Sequence, residues 1–156
     1  MKTLILIMLI LTSTVSFSQV GIGTTTPQST LDINGNLSVK VVNLNGGNFA
    51  NKTPIDDGTY VNLNPNNGGV NSGNDFILPD ANAFPGRIYI LRNRTDFDPA
   101  YIYTAGGDIF TGDSRTAITQ PYQMESDNDA NGGSPSKTIM VISDGDNWTF
   151  GFFNRN

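Results

Sequence analysis

The sequence predicts an all-β protein, a small β-sandwich or β-roll head carried on a short N-terminal stalk segment. Three observations lead there. After residue 18 no stretch keeps its apolar residues at helical spacing; they come in short runs divided by Gly, Asn, Asp and Pro. The dividers include Asn34-Gly35, Asp57-Gly58, Gly112-Asp113 and Asp144-Gly145, dipeptides that tolerate the positive φ of tight turns. Cysteine and histidine are absent, so stability must come from a buried core, a metal or oligomerisation rather than disulfides.

The first element is a targeting segment. Met1 and Lys2 precede an unbroken apolar run at residues 4–11, and a small, polar stretch follows at 12–18. Ser16 and Ser18 fit the −3 and −1 positions of a signal-peptidase site, with cleavage before Gln19. A membrane-spanning helix needs about 20 apolar residues, which this run does not reach. No cysteine follows it to take a lipid, which excludes a lipoprotein. Residues 1–18 therefore read as a signal peptide, and the expectation is a protein secreted or held at the cell surface.

Composition divides the remainder into a stalk-like segment at 19–42, an Asn/Gly-rich, loop-dominated region at 43–73 and a β-rich head at 74–156. At 37–41, Leu37, Val39 and Val41 alternate with Ser38 and Lys40, the period of a half-buried strand. The Asn/Gly-rich region has one short strand signal at 59–63 and is expected to bury little. In the head, residues 76–78, 87–91 and 101–103 read as strands. Ile139, Met140, Val141 and Ile142 are apolar on both faces and read as a central, fully buried strand. Asp144-Gly145-Asp146-Asn147 is the turn of a hairpin into a strand whose Trp148, Phe150 and Phe152 fill the core. No internal repeat is evident.

Several function classes fall away on composition. With 14 acidic and 9 basic residues, the chain lacks the basic surface that nucleic acid or an anionic membrane requires. The absence of Cys and His removes thiol nucleophiles, Ser-His triads and Cys/His zinc sites. Asp96/Asp98 and Asp144/Asp146 are carboxylate pairs, but an acid and a base must flank a sugar from opposite sides, and Asx residues at this spacing usually bond their own backbone. Glu125 is the only glutamate. No catalytic residue is assigned; a small polysaccharide-acting enzyme would be tested first at Glu125.

Val20-Gly21-Ile22-Gly23 opens the most distinctive segment, followed by Thr24-Thr25-Thr26-Pro27 and then Leu31-Asp32-Ile33-Asn34-Gly35. Gly21 and Gly23 allow the backbone to run close to a neighbouring chain or sheet. No helix follows to offer an anion-binding N-terminus, so the glycines are not a nucleotide site. The segment resembles the "VGIGTTxPxxxLdvnG" motif of bacterial surface proteins and phage tail-fibre proteins, common in exported proteins of the Bacteroidetes type. Leu78-Pro79-Asp80-Ala81, then residues 86–93, then residues 143–148 are similar to a looser "LPdA…Gr.y.irN…sdGtnW" pattern of their β-heads. The motif occurs once, without a repeated shaft. The resemblance implies a short capped module, a trimer, and a structural or adhesive setting.

Two candidate ligand sites follow from side-chain chemistry. Tyr101, Tyr103 and Tyr122 can stack on pyranose faces, with Asn and Asp side chains bonding hydroxyls. Asp127, Asp129 and Asn131 match the first half of a Ca2+ loop, but Thr138 stands where the bidentate glutamate belongs and Pro135 breaks the pattern. Of the N-glycosylation strings, that at Asn93-Arg94-Thr95 and that at Asn147-Trp148-Thr149 lie in the head. The expected function is a secreted, non-catalytic, structural or adhesive surface protein that presents a binding surface. A monomeric carbohydrate-binding module is the alternative.

Overall fold

The computed structural model describes residues 19–67, 73–112, 114–126 and 135–152. Residues 1–18, expected to be a signal peptide, and the calcium candidates Asp127, Asp129 and Asn131 lie outside these residues. The chain forms two compact units, Met1–Ser38 and Val39–Asn156.

In the first unit the glycine-rich motif folds on itself. Strands β1 (Val20–Ile22) and β2 (Leu31–Ile33) pair in parallel, Val20 opposite Leu31 and Ile22 opposite Ile33. Gly23 has φ +72°, and a Cβ there would lie 2.8 Å from the Asn34 carbonyl oxygen, so a side chain is excluded twice over. The Asn34 amide closes the turn, Nδ2 donating to the Gly23 carbonyl at 3.2 Å and the backbone N–H to Ile22 at 2.9 Å.

The second unit is all-β and sandwich-like. Its strands are β3 (Val41–Asn45), β4 (Thr53–Pro54), β5 (Tyr60–Asn64), β6 (Asp75–Asp80), β7 (Ile88–Asn93), β8 (Ala100–Gly106), β9 (Ile109–Thr111), β10 (Tyr122–Met124), β11 (Thr138–Ser143) and β12 (Trp148–Phe152). They form a six-stranded sheet in the order β3-β5-β7-β11-β12-β9 and a four-stranded sheet in the order β10-β8-β6-β4. From β3 to β8 the chain alternates between the sheets, and each strand lies parallel to the one two steps earlier. This is the winding of a β-roll. The antiparallel hairpin β11–β12 then fills in beside β7.

The winding exposes an internal repeat that spacing alone did not show. Val42-Asn43-Leu44-Asn45 recurs as Val61-Asn62-Leu63-Asn64, and the two copies stack in register in β3 and β5. The residues 37–41 expected as a strand are therefore displaced. Pairing begins at Val41, the inward face belongs to Val42 and Leu44, and Leu37 and Val41 are 64% and 56% exposed. The Asn/Gly-rich region is likewise more than loop. It supplies β3, β4 and β5, and its Ile55, Val61 and Leu63 are fully buried.

The core lies between the sheets. Val61, Leu63, Tyr89, Leu91, Ile139, Val141, Trp148 and Phe150 come from one side, and Phe76, Leu78, Ala100, Ile102 and Met124 from the other. Each fully buried aliphatic or aromatic side chain is worth about 1.5–3 kcal/mol over exposure. The sheets are also tied by Trp148 Nε1, which donates to the Pro79 carbonyl at 3.0 Å. β11 is central as expected, but only its Ile139/Val141 face is buried; Ile142, on the other, is 39% exposed. The hairpin turn is set by Asp144, whose Oδ1 accepts from the backbone N–H groups of Asp146 and Asn147, and by Gly145 at φ +102°.

Candidate functional site

The alternation of β8 decides which tyrosines can meet a ligand. Ala100 and Ile102 point into the core, so Tyr101 and Tyr103 share the outer face of the four-stranded sheet. Parallel pairing sets Asp75 opposite Tyr101 and Ile77 opposite Tyr103, and Gln123 lies opposite Tyr101 on the other side. The turn Asn48–Asn51 stands beside this face, closed by the Asn51 N–H bond to the Asn48 carbonyl and by the Asn48 side chain, which accepts from Ala50 and Asn51. This turn carries Phe49, a large apolar side chain left 72% exposed.

Phe49 meets Tyr103 edge to face, ring centroids 6.2 Å apart. The Lys52 ammonium lies 4.4 Å from the Phe49 ring centre and 4.5 Å from that of Tyr103, and donates to the Phe49 carbonyl at 2.7 Å. The Tyr103 hydroxyl is bonded to the Asp75 carboxylate; burial first, and then that negative charge, raise its pKa above the ordinary value. Between Phe49, Tyr101, Tyr103, Asn67, Asn74 and Asp75 runs an open groove of about 310 Å³.

Asn74 forms part of the groove and is only 6% exposed. Its Nδ2 donates to Asn67 Oδ1 at 2.9 Å, and Asn67 Nδ2 donates to Asp98 Oδ1 at 2.7 Å. Asn74 Oδ1 is buried and has no hydrogen-bond partner among the described residues.

Tyr122 does not join the other two. It lies opposite Ile102 on the inward face of β10 and packs on Phe150, centroids 4.4 Å apart. Burial, with a smaller contribution from Glu125, pushes its pKa up to about 12. Tyr89, which could have extended the platform had it lain in the same sheet, is in β7 and fully buried against Trp148. Three of the four paired carboxylates serve structure. Asp96 is ion-paired with Lys137, Asp98 accepts from Asn67, and Asp144 holds its turn. Two of the glycosylation strings are also committed: Asn93 is buried and bonds the Asp98 and Glu125 carbonyls, and Asn147 accepts from the Asp108 N–H. Among the described residues no three His, Cys, Asp or Glu side chains gather as a metal site.

Sequence reasoning singled out Tyr101 and Tyr103, which the fold sets on one face, but did not single out Phe49, Asn67, Asn74 or Asp75, which border the same groove. A signal for Phe49 was present, a lone aromatic among Gly and Asn with no apolar partner at strand spacing. Asn74 could not be found that way, because its role depends on two other residues. No family model matches the chain, and neither a curated protein nor a solved structure does.

Proposed function

We propose that this is an exported, non-catalytic adhesive module of the cell surface that engages its target through the Tyr101–Tyr103 face of the four-stranded sheet. One observation carries the reading. Two neighbouring tyrosines and an exposed phenylalanine border a groove outside the core, although the same chain buries Trp148, Tyr89, Phe76 and Phe150. Phe49 is 72% exposed and Tyr101 and Tyr103 stand half-buried beside it, and an aromatic cluster on the solvent side of a sheet marks an interaction surface. An aromatic, hydroxyl-bearing surface with amides beside it suits adhesion more than chemistry, and Asp96, Asp98 and Asp144, weighed as members of carboxylate pairs and set aside, are engaged in structure.

Self-association, as a trimer, belongs to the same proposal. The outer face of the six-stranded sheet carries Val41, Ile88 and Ile142, each more than a third exposed, and none of its strands contains a carboxylate. The one charged residue in these strands is Arg92, so in an acidic protein such a face meets a second copy with little like-charge repulsion, and several copies would convert weak groove contacts into avidity. Beads coated with the purified protein are expected to adhere to cell-surface material, and beads carrying Tyr101→Ala/Tyr103→Ala protein to be released. Equal retention of both would overturn the adhesive role of this face. Light scattering that shows a monomer at all concentrations would overturn the assembly.

A further inference from the structure

We infer that the groove takes a neutral saccharide, held by its C–H face on the aromatic rings and by a hydroxyl donated to Asn74. The inference rests on the adhesive reading and names its ligand class. A carboxylate can only accept, so Asp98 obliges Asn67 to present its NH2 group. Asn67 is then left with its carbonyl toward Asn74, and Asn74 must answer with its own NH2. The polarity of the chain Asn74→Asn67→Asp98 is thus fixed from one end, and what remains over is an acceptor, Asn74 Oδ1.

A buried amide oxygen without a partner costs about 1–3 kcal/mol, and a donor seated in the groove, with a modest side-chain adjustment, removes that cost. Three classes of donor are chemically available: an ammonium, a peptide N–H and a hydroxyl. The cation position over Phe49 and Tyr103 is already held by Lys52, which repels a second ammonium. The strands that bear the groove residues, β8 and β6, are interior to the sheet, flanked by β10 and β4, and so offer a peptide no free edge of their own. Hydroxyls on an apolar ring fit both the aromatic rings and the acceptor. Asp75, with Asp98 behind it, disfavours uronic acids and sialylated sugars.

The test is an array of neutral hexose and pentose oligosaccharides and their uronic-acid counterparts, probed with the purified protein. Adhesion of protein-coated beads is measured alongside on native and periodate-oxidised cell surfaces. Neutral oligosaccharides are expected to bind, with a loss of at least about tenfold for Tyr101→Ala and for Phe49→Ala; the second replaces an exposed residue and leaves the fold intact. Within a deoxy-sugar series one missing hydroxyl should cost about tenfold or more, because its absence leaves Asn74 unpaired again. Preference for the acidic sugars, or neutral binding indifferent to both variants, would overturn the inference. A silent array with beads that still hold to periodate-oxidised surfaces would overturn it while the adhesive reading stands. Beads that hold to neither surface, with a silent array, would overturn both.

Discussion

Tyr103 and Phe49 come from segments more than fifty residues apart in the chain, yet their rings meet at 6.2 Å with the Lys52 ammonium over both. Winding brings them together. β4 is laid parallel to β6 and β6 parallel to β8, so the turn that precedes β4 stands over the face that β8 presents. Phe49→Ala should leave the melting temperature nearly unchanged, since the side chain is mostly exposed. It should weaken adhesion about as much as Tyr103→Ala, which calorimetry of stability and bead retention can read separately.

The β3–β5 ladder predicts an asymmetry between its two faces. Leu63 is fully buried, and Leu63→Ala should cost about 2–5 kcal/mol in chemical denaturation. On the outer face Asn62 Nδ2 donates to Asn43 Oδ1 at 3.0 Å in the open. Asn43→Ala should cost no more than about 1 kcal/mol, the net worth of an ordinary hydrogen bond. Equal costs would mean that the repeat is not packed in this register.

Much of this architecture could be read from residue order, and the unread parts share one cause. The Trp148–Phe152 strand, the Asp144–Asn147 turn and the class were local patterns of apolar alternation and turn chemistry. The Val-Asn-Leu-Asn repeat escaped because it has only two copies; the next parallel strand, β7, sets Leu91, Arg92 and Asn93 beside Val61, Asn62 and Leu63. Its asparagines also resemble loop residues until each copy is seen to bury a Val and a Leu against the core. Tyr101 and Tyr103 were legible as a pair on one face; Tyr122 was misplaced, because a three-residue strand gives too few positions to say which face is buried.

Tyr122 gives the protein an alkaline limit. Its pKa is raised from 10.0 to about 12 by burial, so its neutral form is favoured in the fold. That contribution is fully present below the unfolded value of 10.0 and is lost as pH rises through about 12. Melting temperatures should fall across this window, and Tyr122→Phe should reduce the fall. A variant with the same alkaline profile would contradict the placement of Tyr122 against Phe150.

Asp144 acts in the opposite direction. Backbone N–H bonds from Asn147 and Asp146 lower its pKa below 3.8. Its stabilisation is therefore present above 3.8 and is lost as pH falls through the lowered folded value. Hydrogen exchange at Asp146 and Asn147 should quicken in that acid range before the rest of the sheet responds. Uniform exchange across β11 and β12 would contradict this local role.

The most direct test of the central claim is to map amide chemical-shift changes while a neutral oligosaccharide mixture is titrated into the isotope-labelled protein. Shifts are expected to be confined to residues 47–52, 73–75 and 101–103, with the Asn67 and Asn74 side-chain amides among the largest. Saturable binding that leaves these residues unmoved and shifts the Asp144–Asn147 turn or the β1–β2 unit instead would contradict the claim.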